Sequence, residues 1–139
     1  MLNAHASVVA GVEEALATAG LPPLPWYDVL WAVRRAPGRE ARMADLADGL
    51  TLSRGGATKL VDRLESAGLL RRRRAEDDGR GFYAVLTGEG EEMLRKMWAV
   101  YSRVLRDTLV ESLGEQQART IASGLGRVNE AAKPRAAAR

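Results

Sequence analysis

The chain has 139 residues, no cysteine and a formal net charge of +3, from 21 Lys and Arg residues against 18 Asp and Glu residues. A chain of this length can bury one hydrophobic core without the help of disulfides or bound metal ions. The lack of cysteine excludes disulfides, thiolate metal sites and thiol-based redox sensing. No apolar run approaches the roughly 20 residues that span a bilayer, and the N-terminus lacks the pattern of a secretory signal. We therefore expect a single cytoplasmic domain.

The basic residues are unevenly distributed along the chain. None precedes Arg34, whereas residues 54–80 contain eight of them against five acidic residues. A net charge of +3 is weak support for a polyanionic partner. The local basic block is the stronger signal.

The first half of the chain reads as four helices. Apolar residues at helical spacing predict a helix from Ala6 to Thr18, stopped by Gly20, and a second helix over residues 25–36 before Pro37. A third, very short helix runs from Met43 to about Gly49, and a fourth begins after Ser53 and closes at Gly68. Ser53 is a good N-cap for the fourth helix. Two short helices joined by a few residues form a helix-turn-helix pattern.

After Gly68 the residue pattern changes from helical spacing to strand-length runs. Two strand-length runs, Leu69 to Arg74 and Gly81 to Leu86, flank a cluster of turn-forming residues and predict a β-hairpin. Thr87 then caps a long helix that we expect to reach about Leu113. Its apolar residues cover more than one narrow stripe, which favours one face for the core and another for a partner.

A last helix is predicted from about Glu115 to Glu130, and residues 131–139 are expected to form a frayed basic tail. The predicted fold class is mainly α with a small β-hairpin wing. The order of elements over residues 42–86 is that of a winged helix-turn-helix, whose second motif helix enters the DNA major groove by its N-terminal end.

The fourth helix presents the candidate base-reading residues. Its apolar stripe leaves Arg54, Gly55, Thr58, Lys59 and Asp62 outward. Arg and Lys can donate to guanine, and Thr can bond a base edge or touch a thymine methyl. Glycine is unfavourable in a helix, so Gly55 and Gly56 either let the backbone approach DNA closely or occupy a first turn that tolerates glycine.

The hairpin presents the candidate phosphate contacts. Alternate strand residues share a face, so Arg72 and Arg74 can face the same phosphate backbone, although a run of arginines is also compatible with a solvated surface. Arg80 at the hairpin tip is placed to enter a minor groove. Asp78 can hold its guanidinium through charge-assisted bonds.

These residues resemble the MarR family of dimeric transcriptional regulators. Met43-Ala44-Asp45-Leu46-Ala47 is similar to the family's first motif helix, and "SRGGATKLVDRL" from Ser53 to Leu64, followed by "ESAGLLRR", is similar to its recognition helix and exit. Asp78-Gly79-Arg80 resembles the wing signature "DxR". Val85 to Gly90 resembles the "LTxxG" that opens the next helix, and Trp26 to Pro37 matches more loosely.

The resemblance implies a homodimer on a pseudo-palindromic operator, acting as a repressor. Residues 1–36 and 88–139 would form the helical dimerisation part, residues 37–87 the DNA-binding part, and two recognition helices would reach successive major grooves about 34 Å apart. The DNA-contacting candidates from the helix and the wing are Ser53, Arg54, Gly55, Gly56, Thr58, Lys59, Arg63, Arg72, Arg74, Asp78 and Arg80.

Many members of this family release DNA when a small aromatic or phenolic ligand enters a crevice between the two parts. The local candidates are Trp26, Tyr27, Trp31, Trp98 and Tyr101, although aromatic residues on helices are more often core or interface residues than ligand contacts. His5 is the only histidine, so we expect no metal site and no cofactor. No catalytic arrangement or phosphate loop indicates an enzyme.

The alternative to a DNA-binding regulator is a winged helix that binds an acidic protein partner.

Overall fold

The computed structural model describes residues 2–50, 52–76 and 81–132. The chain divides into two compact units, residues 1–101 and residues 102–139. No helix of the described residues is long and apolar enough to cross a membrane.

The first unit contains the helices predicted for it. They are α1 (Leu2–Thr18), α2 (Leu24–Arg35), α3 (Met43–Gly49), α4 (Arg54–Ser66) and α5 (Gly88–Leu105), the last of which continues into the second unit. Helix α1 begins four residues before the predicted Ala6. Helix α4 closes as predicted at Gly68, whose φ of +76° is a backbone conformation that favours glycine.

Three antiparallel strands form the sheet, one more than the sequence predicted. The hairpin strands are β2 (Leu70–Arg74) and β3 (Phe82–Leu86), and the additional strand β1 (Glu40–Arg42) pairs with β3, giving the order β1-β3-β2. Strand β1 was missed because three residues are too few to show a period of two. It follows directly on a 3₁₀ turn at Pro37–Arg39.

The core of the first unit lies between the helices and one face of the sheet. Each helix contributes at least two buried apolar side chains, and the sheet contributes Leu70 and Ala84. The largest fully buried side chains are Val12, Leu16, Val29, Leu30, Val33, Val61, Leu64, Leu70 and Met97. This burial stabilises the arrangement that presents α4 and the hairpin on the surface.

A junction of four residues connects the end of α4 to the start of α5. Thr87 donates its hydroxyl to the Gly68 carbonyl at 2.7 Å, and the hydroxyl oxygen accepts from the Gly90 N–H at 3.0 Å, so Thr87 is the predicted N-cap of α5. The Thr87 N–H donates to the Leu69 carbonyl at 3.3 Å. A Cβ on Gly90 would stand 2.1 Å from that same carbonyl oxygen. We name the set Gly68, Leu69, Thr87 and Gly90 the junction.

The described part of the second unit is helical except at Gly114, which separates its last two helices. After α5, a π-helical turn at Arg106–Val110 leads into α6 (Glu111–Leu113) and then α7 (Glu115–Ala132). The prediction that the helix from Thr87 ends at Leu113 is confirmed, although periodicity did not indicate the π-helical turn inside it. Helix α7 extends two residues into the predicted tail, and residues 133–139 lie outside the described residues.

The close approach at Gly90 generates a stability prediction. Gly90→Ala should lower the free energy of unfolding by about 3 kcal/mol or more, because the added methyl overlaps backbone that cannot rotate away. Urea denaturation measures the change. Gly88→Ala is the matched control, since a Cβ there meets no atom within 4 Å. Equal stability of the two variants would contradict the packing described for the junction.

Candidate nucleic-acid interface

The N-terminus of α4 is held open to solvent by its cap. The Ser53 hydroxyl accepts a hydrogen bond from the Gly56 N–H at 3.0 Å, which confirms the predicted N-cap. The remaining N–H groups of the first turn have no helical acceptor and give this end a partial positive charge. The end is therefore suited to an anionic partner.

The outward face of α4 carries the residues predicted for it. Arg54, Gly55, Thr58, Lys59 and Asp62 are all exposed, and Arg63 is exposed as well. The Thr58 hydroxyl donates to the Arg54 carbonyl at 2.9 Å, so its hydrogen is already used within the helix. Thr58 can therefore offer a partner its methyl group and an oxygen lone pair.

The two glycines of α4 differ in their surroundings. A Cβ on Gly56 would stand 3.0 Å from the Ser53 hydroxyl oxygen, so the cap itself favours glycine there. A Cβ on Gly55 would meet no atom within 4 Å, and Gly55 has no positive φ. Nothing in the described fold requires glycine at position 55.

Arg72 of the hairpin bonds to α4. Its two terminal nitrogens donate to Asp62 Oδ1 at 2.5 Å and to Glu65 Oε2 at 2.9 Å, and its main-chain N–H donates to Glu65 Oε1 at 3.1 Å. Sequence reasoning placed Asp62 outward but did not pair it with Arg72, because the pair is ten residues apart. The bridge fixes β2 against α4.

Arg73 points to the opposite face of the hairpin and joins it to β1. Its guanidinium donates to both carboxylate oxygens of Glu40, at 2.6 and 3.1 Å, and these bonds raise the pKa of Arg73. It also lies 4.8 Å from the centre of the Tyr83 ring, which Arg42 covers at 5.2 Å. This cluster was missed because it depends on β1.

Within the described part of the basic block, residues 54–76, five exposed basic residues have no carboxylate bonded to them. They are Arg54, Lys59 and Arg63 on α4 and Arg71 and Arg74 on β2. The predicted wing contacts Asp78 and Arg80 lie outside the described residues. The basic block therefore divides into arginines that hold the fold together and cations that remain exposed.

Four of the five predicted ligand-binding aromatics gather in one cluster. Tyr27 stacks with Trp31 and Trp98 at ring-centre distances of 6.2 and 6.4 Å, and Tyr101 meets Tyr27 and Trp98 edge-on at 5.2 and 5.8 Å. Burial raises the pKa of both Tyr27 and Tyr101, so both phenols are neutral at pH 7. Trp26 makes no ring contact with this cluster.

A cavity of about 370 Å³ opens beside the cluster. Tyr27, Trp31 and Trp98 form its aromatic wall, and Arg34 and Glu91 form a polar wall, joined to each other at 2.9 Å. No local pattern connects Arg34 with Glu91, since 57 residues separate them. The cavity combines flat apolar surface with charged groups at one side.

Metal-ligating side chains are dispersed within the described part of the chain. Among those residues, no three His, Cys, Asp or Glu side chains gather into a group that could hold a metal ion.

Comparison with known proteins gives one consistent result. The MarR family model matches residues 19–81. AbsC, a MarR family transcriptional regulator from Streptomyces coelicolor, is 28% identical with a TM-score of 0.79, covering 93% of this chain and 86% of that one. Sco3205, a MarR family transcriptional regulator from the same organism solved in complex with DNA, is 27% identical with a TM-score of 0.83, covering 96% and 83%.

A more distant structure shares the fold. CouR from Rhodococcus jostii RHA1, solved bound to p-coumaroyl-CoA, is 21% identical with a TM-score of 0.75, covering 91% of this chain and 86% of that one. A search of the curated proteins found no match.

Proposed function

The chain is a transcriptional regulator of the MarR family, and on that premise we propose that it binds a specific duplex DNA site as a homodimeric repressor. The observation that carries the proposal is the exposed N-terminal half of α4, where a capped helix end, two cations and a glycine face solvent together. Members of the family regulate transcription, and this chain is not an enzyme.

Helix α4 is the recognition helix in this proposal. Arg54 and Lys59 donate to guanine edges or phosphates, and the free methyl of Thr58 contacts a thymine methyl in the major groove. Sco3205, which has the same fold, was solved in complex with DNA. The exposed cations Arg63, Arg71 and Arg74 bind phosphates and fix the register of the protein on the duplex.

Arg72 has a structural role in this proposal, whereas the sequence predicted a phosphate contact. Its guanidinium is bonded to Asp62 and Glu65, and a phosphate would have to displace both carboxylates to reach it. We therefore propose that Arg72 sets the angle between the hairpin and the recognition helix, and that Arg74 makes the phosphate contact. Asp78 and Arg80 keep their predicted wing contacts in the proposal.

Substitution of Gly55 tests whether the backbone of α4 approaches DNA closely. Gly55→Ala should raise the free energy of unfolding by about 1 kcal/mol, since alanine is the better helix residue. It should also weaken DNA binding about tenfold or more, equivalent to a loss of about 1.4 kcal/mol, because the methyl keeps the helix out of the groove. Urea denaturation and fluorescence anisotropy with a labelled operator measure the two effects.

Gly126→Ala in α7 is the matched control for that experiment. Gly126 is also a helical glycine whose Cβ would meet open space, and it lies off the apolar stripe of α7, so the variant should gain helix stability without losing DNA affinity. Unchanged affinity of Gly55→Ala would show instead that the first turn of α4 simply tolerates glycine.

The homodimer is supported by an apolar stripe on α7. Ile121, Leu125 and Val128 recur at helical spacing and are about half exposed in the single chain. Such a stripe is what a partner helix covers in an oligomer interface. A second copy of the chain would bury it and bring a second recognition helix to the next major groove.

Leu125→Lys should therefore separate the protomers, because a charge in the middle of the stripe would have to be desolvated. Sedimentation at micromolar concentration should report a dimer for the wild type and a monomer for the variant, with DNA affinity reduced to that of a half-site. Ser123→Lys, an exposed position on the other side of α7, should leave the dimer intact. A wild-type monomer would refute the homodimer.

Repression and its relief by a ligand complete the proposal. A dimer across two successive major grooves excludes other proteins from that DNA, which is the basis for proposing a repressor. The cavity walled by Tyr27, Trp31 and Trp98 suits a flat aromatic or phenolic ligand, and CouR, with the same fold, was solved bound to p-coumaroyl-CoA. Ligand in this cavity would shift the protein towards a conformation that binds DNA less tightly.

A panel of phenolic and aromatic compounds tests ligand release. At least one member should free labelled operator from the wild type, and Trp98→Ala should raise the concentration required about tenfold, since the variant removes half-exposed stacking surface. Trp26→Ala is the control, because Trp26 does not line the cavity. Failure of every compound to release DNA, or equal effects of the two variants, would count against this cavity.

A further inference from the structure

Phe82 is an exposed aromatic side chain at the wing end of the hairpin. It opens β3, and 48% of its surface is accessible. It makes no ring contact with any described residue, whereas its neighbour Tyr83 lies between Arg42 and Arg73. The fold uses Tyr83 to hold the sheet together and leaves Phe82 uncovered.

The strand register places Phe82 on the same side of the hairpin as α4. Phe82 is paired with Arg74, and Ala84 with Arg72. Residues directly opposite each other or two apart along a strand share a face. Because Arg72 bonds to Asp62 and Glu65 of α4, this face is the one turned towards the recognition helix.

Phe82 and Arg74 form the next pair on that face. Two strand residues span about 7 Å, so the pair lies about that far beyond the Arg72 bridge, towards the wing tip. Both side chains are exposed. An aromatic ring and a cation with no carboxylate bonded to it among the described residues therefore stand side by side on the face of the hairpin turned towards α4.

The sugar–phosphate strand of DNA has the matching chemistry. It alternates anionic phosphates with deoxyribose rings, which present apolar C–H surface. We propose that Phe82 packs against a deoxyribose of the strand passing between α4 and the hairpin while Arg74 pairs with the adjacent phosphate. The inference rests on the proposed DNA binding and adds to it an apolar contact outside the recognition helix.

The exposed cations of this region favour DNA over an apolar protein partner. Arg54, Lys59 and Arg63 on α4 and Arg74 on this face of the hairpin have no carboxylate bonded to them among the described residues. A protein partner would have to supply several carboxylates as well as an apolar pocket. A nucleic-acid backbone supplies both chemistries in a regular repeat.

The salt dependence of binding separates the two contacts. Phe82→Ala should weaken operator binding about tenfold per half-site, the expected loss for part of a buried phenylalanine, and should leave the slope of log affinity against log salt unchanged. Arg74→Gln should weaken binding and reduce that slope by about 0.9 per protomer, because one phosphate contact is lost. Phe82→Leu, which keeps apolar surface, should retain most of the affinity.

Crosslinking provides a readout that does not depend on the stability of Phe82→Ala. The photoreactive residue p-benzoylphenylalanine at position 82, which abstracts hydrogen from nearby C–H groups, should crosslink the full-length protein to operator DNA. The same residue at position 109, on the π-helical turn, should give no crosslink.

The outcomes of these experiments are distinguishable. Wild type that binds no duplex would refute the proposed function itself. Wild type that binds, with equal affinity for Phe82→Ala at every salt concentration or no crosslink from position 82, would refute only the contact proposed for Phe82.

Discussion

The junction at Gly68, Leu69, Thr87 and Gly90 is the constraint on which the DNA-binding surface depends. The Thr87 hydroxyl donates to the Gly68 carbonyl, just after α4, and accepts from the Gly90 N–H in the first turn of α5. The recognition helix, the hairpin and the long helix therefore share one point of attachment. The lack of a side chain at Gly90 allows α5 to pass directly over the Leu69 carbonyl, so a shift of α5 would be transmitted to the recognition helix through backbone contacts.

The basic block performs two separate tasks. Arg72 and Arg73 bond to carboxylates of α4 and β1, on opposite faces of β2, and so fix the hairpin from both sides. Such partly exposed pairs contribute little stability individually, but bonds to two different elements restrict the orientation of the hairpin. The exposed cations around them are then held in fixed positions, which favours a specific over a diffuse electrostatic contact.

Much of this arrangement was predictable from local sequence. Ser53 and Thr87 are caps whose effect is confined to one helical turn, and the hairpin follows from turn-forming residues between two short runs. Arg72 bonding to Asp62, Glu91 bonding to Arg34 and the strand β1 were not predictable, because each depends on residues brought together from distant parts of the chain. The predicted division into dimerisation and DNA-binding parts stays a prediction, since it concerns a second protomer. Phe82 was not identified from the sequence, because a single exposed aromatic residue produces no periodic pattern.

Selection of bound sequences from a random duplex pool would show whether the protein reads DNA as a two-fold symmetric dimer. The selection should enrich an inverted repeat whose half-site centres lie about 10 base pairs apart, since two recognition helices related by a two-fold axis reach successive major grooves. Insertion of about five base pairs between the half-sites turns them to opposite faces of the duplex and should abolish tight binding. Enrichment of no sequence, or of a single half-site bound equally well at any spacing, would contradict this symmetric mode of binding.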